Sequence, residues 1–353
     1  MQLRALARLD FPGHPYCTLL NLVSTKHCGS VVAKTLGSPE VLSSTAKPRS
    51  PFVYSRTRLQ CLSSRTYSPP DRTTMALTLQ SRMKLRDGNE IPVMGFGTYE
   101  MDGKEAYNAV KHALEAGYRH IDSAEWYYNE RECGQAIRDF CAASGVPRSE
   151  VFFTTKLQNN SGYSASKATV ARSLQKCGLE YIDLYLMHSP IGGPQRRAES
   201  WKAILEARKE GLVRSVGVSN FGVRHLQEMV DAGVELPVLN QVDLHPFMTR
   251  SDIVVMCRKH GIALEAWAPL VRGYRFKHPS IVGLAQKYGK ESAQILLRYS
   301  LQKGYIPLPK SSSEHRIKSN LNVYDFELTS EEVAHLDSLD ERLVTDWDPT
   351  DTP

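Results

Sequence analysis

The chain predicts an α/β fold, a (β/α)8 TIM barrel with an N-terminal β-hairpin lid and an extra C-terminal helix. Three observations lead there. Eight strand-length apolar runs alternate with amphipathic stretches, and eight such units within about 270 residues match the usual size of a TIM-type barrel. A polar or aromatic residue closes nearly every run, at the end where such barrels collect their chemistry. The glycine turn G-x-G-x-x-G, which an open doubly wound sheet uses to bind phosphate, is missing, because Gly95-Phe-Gly97 is followed by Glu100 at the third position.

Taken in order, Met83–Arg86 and Asn89–Pro92 flank Asp87-Gly88, a short hairpin signal that places a lid over one end of the barrel. The strand candidates are then Val93–Gly97, Arg119–Asp122, Val151–Thr155, Ile182–Met187, Val213–Val218, Val238–Val242, Ala263–Trp267 and Tyr305–Leu308. Amphipathic stretches between them include Lys104–Ala116, Ala165–Lys176, Glu199–Glu210 and Ser251–Lys259. Thr329-Ser-Glu-Glu332 is a capping box that opens one more helix near the C-terminus.

Residues 1–74 are set apart from the domain expected over residues 75–353. They hold ten Lys or Arg against three acids, whereas the rest of the chain is near neutral with 34 against 35. With seven prolines, many Ser and Thr and no sustained periodicity, this leader is expected to stay disordered. Two readings stand: a mitochondrial presequence, which fits its Arg and Ser richness, or an over-extended start with Met75 as the true beginning. The location expected is cytoplasmic, with mitochondrial import if the leader is real. The folded part has no basic excess to read nucleic acid and no apolar run long enough to span a membrane. Cys133, Cys141, Cys177 and Cys257 form no C-x-x-C pair, so no metal site is expected and the thiols read as reduced intracellular cysteines.

The residues closing the strands are Asp122, Lys156, His188, Ser219-Asn220, Gln241, Trp267 and Lys310. Each has a plainer reading taken singly: Lys156 a solvated strand end, His188 a core histidine, Ser219-Asn220 a helix N-cap, Trp267 packing. Their arrival on one rim is hard to explain as packing. A charge beside a dry barrel core is costly unless paired, and Asp122 and Lys156 on neighbouring strands are the natural pair.

Several motifs in order resemble the aldo-keto reductase family, across about residues 77–348. They are Gly117-Tyr-Arg-His-Ile-Asp-Ser-Ala124 followed by Tyr127-Tyr-Asn-Glu130, then Thr154-Thr-Lys156 and Asp183-Leu-Tyr-Leu-Met-His188. Gly217-Val-Ser-Asn-Phe221, Asn240-Gln-Val-Asp-Leu-His-Pro246, and Pro309-Lys-Ser311 with Arg316 and Asn320 complete the set. The short segments Pro190–Ala198 and Leu270–Pro279 make the resemblance one to microbial or fungal members with short barrel loops.

The resemblance implies reduction of a small-molecule aldehyde or ketone by NADPH, in a monomer, with a tetrad of Asp122, Tyr127, Lys156 and His188. Tyr127 is then the general acid. An unperturbed phenol titrates near 10, so the tetrad reading expects Lys156 to lower it. Asp122 would hold the lysine charged, and His188 would hydrogen-bond the substrate oxygen. For the coenzyme, Trp267 would stack on the nicotinamide, with Ser219, Asn220 and Gln241 as carboxamide partners. Lys310, Ser311 and Arg316, with Asn320, would hold the adenosine end and its 2′-phosphate, selecting NADPH over NADH. Tyr99 and Ser189 join His188 as substrate contacts. Three departures from the family pattern are expected to act on binding: Ser319 for a Glu facing the adenosine, Ser189 for a Trp wall, and Tyr99 for a Trp on the rim.

Two other functions compete. A coenzyme-binding barrel with a regulatory or structural role would be expected to lose the tyrosine or histidine. A hydrolase built on Asp122 and His188 would need a placed nucleophile, and no G-x-S-x-G appears.

Overall fold

The computed structural model describes residues 77–353, so the leader readings lie outside the described residues. A hairpin of β1 (Arg82–Lys84) and β2 (Glu90–Pro92) precedes a sheet of eight parallel strands. These are β3 (Phe96–Gly97), β4 (His120–Asp122), β5 (Phe152–Leu157), β6 (Ile182–Met187), β7 (Val213–Ser219), β8 (Leu239–Asp243), β9 (Ala263–Trp267) and β10 (Ile306–Pro307). Sequential strands are neighbours throughout. The helices between them are α1 (Gly103–Ala116), α2 (Glu130–Ser144), α3 (Tyr163–Cys177), α4 (Pro194–Lys209), α5 (Val223–Asp231) and α6 (Ser251–Lys259). Two more, α7 (Pro279–Tyr288) and α8 (Ser292–Gln302), lie between β9 and β10; α9 (Glu314–Ser319) and the extra α10 (Ser330–Asp337) come last.

Two backbone bonds join the first and last strands and close the barrel: Gly95 N–H donates to the Pro307 carbonyl at 3.1 Å and Gly97 N–H to that of Pro309 at 3.0 Å. A Cβ on Gly95 would strike the Leu308 side chain and the His120 ring. The Gly-x-Gly pair that resembles half a phosphate loop is therefore a seam, which needs glycine for close approach.

Helix α1 shows how the layers form. Its buried residues Ala106, Ala109, Val110, Ala113 and Leu114 fall at i, i+3, i+4, i+7 and i+8, one stripe facing the sheet. It ends where Gly117 takes φ 112°. Boundaries differ from the sequence reading by about a turn. Helix α4 begins at Pro194 rather than Glu199, because proline suits the first helical position. Strand β10 is two residues long, since Pro307 and Pro309 have no N–H to give.

The hairpin sits at the N-terminal end of the barrel. Leu85 and Ile91 pack with Phe152, Leu184, Leu186, Val238, Leu239 and Ile306 in one buried cluster, which seals that end. Asn89 Nδ2 donates to Ser215 Oγ at 3.0 Å and Ser215 Oγ to Asp87 at 2.7 Å, fixing the turn to β7. The opposite end is open to function.

Candidate active site

At that C-terminal end, Lys156 is completely buried. Its ammonium donates to Asp122 Oδ1 at 2.6 Å, to the Ser123 carbonyl at 2.9 Å and to the Tyr127 hydroxyl at 3.4 Å. Burial opposes the charge on Lys156, but Asp122 and Tyr127 outweigh it, and the net shift is upward. The lysine is held as a cation. Burial in turn raises the Asp122 carboxyl, against the pull of Lys156 and Gln241.

Tyr127 reaches this pair because β4 leads into one tight turn of 3-10 helix, Glu125–Tyr127, capped by Tyr128 at φ 55°. The turn aims the two tyrosines apart: Tyr127 at Lys156, and Tyr128 outward at 75% exposure. Asn129, fully buried, pins the turn to the β3 loop by donating to the carbonyls of Thr98 at 2.9 Å and Met101 at 2.8 Å, while accepting from Ser123 Oγ at 2.7 Å. In the sequence Asn129 is one polar residue inside a motif, and nothing local marks this bracing role.

The expectation that the Tyr127 phenol is lowered is not met. Burial pushes Tyr127 up to about 12, and Lys156 pulls against that without reversing it. Desolvation of the phenolate is the larger effect. His188 stands beside the phenol, ring centroids 5.7 Å apart. Burial, reinforced by Lys156, holds its pKa well below the usual imidazole value, so the ring is neutral. Its Nδ1 is buried with no hydrogen-bond partner among the described residues.

A second group of the expected residues forms one network. Trp267 Nε1 donates to Asn220 Oδ1 at 2.9 Å, and Asn220 Nδ2 to the His188 carbonyl at 3.0 Å and to Ser219 Oγ at 3.2 Å. Ser219 Oγ donates to the Gln241 carbonyl at 2.9 Å. Gln241 Nε2 donates to Asp122 Oδ2 at 2.9 Å and to Glu265 Oε2 at 2.6 Å, which ties this group to the tetrad. The third group lies on the turn after β10. There Ser311 Oγ accepts from Arg316 Nε at 3.2 Å, Lys310 and Arg316 are exposed, and Asn320 is buried.

The rim differs from expectation on one side. Ser189 is buried and its hydroxyl accepts from Ile191 N–H at 3.4 Å, so it serves its own loop. The wall expected to be missing there is supplied from elsewhere. Trp126 and Trp347 pack edge-on against the His188 ring at 5.8 and 6.4 Å, and against each other at 5.9 Å. Trp347 arrives on a C-terminal tail strapped to the barrel: Thr345 donates to Asp243 at 3.0 Å, and Arg250 pairs with Asp348 at 3.1 Å. No local periodicity in the tail signals this contact. Tyr99 does stand on the rim, 5.1 Å from the Tyr127 ring, with Arg272 beside it bonding Glu100 at 3.0 Å.

The sequence profile of the Aldo/keto reductase family matches residues 93–280 and 277–341. The chain belongs to this family. An uncharacterized oxidoreductase of Schizosaccharomyces pombe is 44% identical over 276 residues, covering 78% of this chain and 99% of its own length. One from Bacillus subtilis is 42% identical over 277 residues, covering 78% and 98%. Among solved structures, an aldo-keto reductase of Bombyx mori in complex with NADP has a TM-score of 0.72 and 38% identity, over 76% of this chain and 95% of that one. An aldo/keto reductase from Brucella melitensis has a TM-score of 0.69 and 41% identity, over 74% and 99%. This chain is thus an oxidoreductase of the carbonyl-reducing kind, and its aldo/keto reductase barrel is the fold expected from its sequence. No helix among the described residues is long and apolar enough to cross a membrane.

Proposed function

We propose that this aldo/keto reductase converts an aldehyde or ketone to an alcohol with NADPH, and that Tyr127 is the general acid. The observation that carries the reading is the run from the Tyr127 hydroxyl to Lys156 at 3.4 Å and on to Asp122 at 2.6 Å, with the neutral His188 beside it. Bound NADPH supplies the hydride. Tyr127, kept protonated by burial, donates the phenolic proton to the oxygen of the reduced carbonyl. Lys156 then stabilises the phenolate left behind, and Asp122 keeps the ammonium charged and aimed. His188 offers its one N–H to the carbonyl oxygen, which fixes the substrate and favours the charge that develops there. Burial keeps the phenol in its donor form, and the Lys156 charge beside it offsets part of the cost of giving up the proton.

The residues fit a dinucleotide. The nicotinamide end would meet Trp267, Ser219, Asn220 and Gln241, whose Oε1 receives no protein donor among the described residues. The 2′-phosphate would meet Lys310, Ser311 and Arg316, two exposed cations beside a buried hydroxyl. Every proposed tetrad residue comes from one chain, so a monomer suffices. The free cysteines Cys133, Cys141, Cys177 and Cys257 suit a reducing compartment such as the cytoplasm.

Tyr127→Phe tests the acid. NADPH titration should be nearly unchanged, while single-turnover carbonyl reduction should fall by roughly 10²–10⁴-fold. Tyr128→Phe should leave both unchanged. Near-normal turnover by Tyr127→Phe would overturn the assignment, and a parent chain that binds NADPH without consuming it against any carbonyl would favour a regulatory barrel.

A further inference from the structure

Glu265 is a fully buried carboxyl on β9, inside the barrel, with no cation bonded to it among the described residues. Buried acids normally carry a partner because desolvation is costly. Here burial first, and then Asp122, pushes Glu265 up to about 8. The nearest basic group is His120, whose Nε2 is 3.6 Å from Oε1. Burial holds that ring neutral, down to about 3, and Nε2 already faces Thr154 Oγ1 at 3.0 Å. Oε1 itself has no hydrogen-bond partner among the described residues. Nothing about the ion pairs of the barrel explains the carboxyl.

What Glu265 does hold is the Gln241 amide. Gln241 and Glu265 are register partners on β8 and β9, and the two side chains meet at 2.6 Å from Nε2 to Oε2. The same nitrogen is 2.9 Å from Asp122 Oδ2. A primary amide has two N–H donors and one carbonyl acceptor. Carboxyl oxygens of Asp122 and Glu265 take both donors, so the amide cannot turn over without setting its oxygen against them. The consequence falls on the other end: Gln241 Oε1 is left as a fixed acceptor. We propose that Glu265 is a positioning residue that locks the Gln241 side chain, so that Oε1 accepts from the NH2 of the nicotinamide carboxamide. This rests on the reading of Gln241 as a coenzyme contact. With the Gln241 amide donating to Oε2 at 2.6 Å, a proton on the Glu265 carboxyl belongs on Oε1. Oε2 then accepts in either protonation state, while Asp122 Oδ2 also opposes an inverted amide.

With Glu265 removed, Asp122 alone holds one donor and the amide is free to rotate. The loss should appear only for ligands that carry the nicotinamide. Glu265→Met removes the acceptor while keeping volume, and Glu265→Gln restores an acceptor oxygen of the same reach. The measurement compares binding of NADPH with binding of 2′-phospho-ADP-ribose, which lacks nicotinamide, in both variants and in Gln241→Ala. Glu265→Met should bind NADPH about five- to tenfold more weakly, the size of one neutral hydrogen bond. It should bind the truncated ligand as the parent does, and Glu265→Gln should recover most of the loss. If Glu265→Met does not fold, Glu265→Thr carries the same test, because its short hydroxyl does not reach Gln241. Equal weakening of both ligands, or no weakening of NADPH, overturns the inference where Gln241→Ala is selectively weak for NADPH. If Gln241→Ala shows no such selectivity, the coenzyme reading of Gln241 fails first, and the inference with it.

Discussion

The two ends of the barrel each hold an ion pair around a buried carboxyl, fully buried for Lys156–Asp122 and with a half-buried arginine for Arg148–Asp183, and they use it differently. At the N-terminal end Arg148 bonds Asp183 at 2.7 Å, the Tyr181 carbonyl at 3.0 Å and the Val151 carbonyl. Asp183 also accepts from Phe153 N–H at 3.0 Å. Every bond there goes to the scaffold. At the C-terminal end Lys156 bonds Asp122 and one carbonyl, and its remaining contact goes to a phenol. Backbone strain divides the same way. Each of the seven helix-to-strand returns takes its left-handed residue as glycine, from Gly117 to Gly304. The strand-to-helix loops place Glu100, Tyr128, Asn220, Arg250, Ala268, Val271 and Arg272 at positive φ. A side chain in that region costs on the order of 1–3 kcal/mol and persists where surroundings over-determine it. One end of the barrel is built for stability and the other tolerates strain for geometry.

The sharpest way to break this comparison is to delete the cation of each pair. Lys156→Met should cut turnover by at least about 10²-fold if Tyr127 is the proposed acid, since the phenolate it would leave loses its counter-charge. Arg148→Met takes the cation from the buried Asp183, which keeps its Phe153 N–H bond, and should cost stability of about 1–3 kcal/mol, with turnover per folded molecule unchanged. Thermal midpoint and single-turnover rate, measured on both variants, decide it. Loss of turnover in Arg148→Met at a temperature where it is folded would show that the two ends are not separable.

The turn after β10, proposed to hold the coenzyme phosphate, sharpens the same contrast. Arg316 is exposed and its side chain bonds only Ser311 among the described residues, so its removal should leave stability alone. Arg316→Ala should weaken NADPH by roughly ten- to hundredfold, the worth of one charge-assisted bond, and barely touch NADH. Equal weakening of both coenzymes in titration would place the 2′-phosphate elsewhere.

The fold is legible in the sequence because its signals are local. Each of the eight strand runs overlaps a strand, the first and last by two residues only, and the Thr329 capping box closes with Thr329 N–H donating to Glu332 at 2.8 Å. The Asp122–Lys156 pair is legible because strand ends converge by topology, which brings the two together from neighbouring strands. What stays hidden depends on long loop closures. Trp347 lies 159 positions from His188 in the chain, yet their rings meet at 6.4 Å. Glu265 reads as one polar residue in an apolar strand until its register with Gln241 is known. The direction of the Tyr127 shift escapes the sequence because burial cannot be read from charge neighbours alone.

The smallest effect is also the most direct test of where strain is stored. Gly145 ends α2 at φ 72°, and a Cβ there meets nothing within 4 Å. Gly145→Ala therefore changes only backbone preference, and the left-handed penalty of about 1–2 kcal/mol is offset in part by an unfolded chain with less freedom. A loss near 1 kcal/mol is expected, with turnover unaffected. Ala268, directly after Trp267, sits at φ 49° and already bears that penalty. Ala268→Gly should relieve it, less the roughly 0.4–1 kcal/mol that added unfolded-state freedom costs, for a net gain of up to about 1 kcal/mol. Turnover should fall modestly, because the turn that holds the Trp267 ring becomes looser. Opposite signs in the two thermal midpoints, with activity moving only in Ala268→Gly, would fix strain at the functional end. A destabilised Ala268→Gly would mean that the turn is held by its neighbours at no cost, and the division between the two ends would then rest on the ion pairs alone.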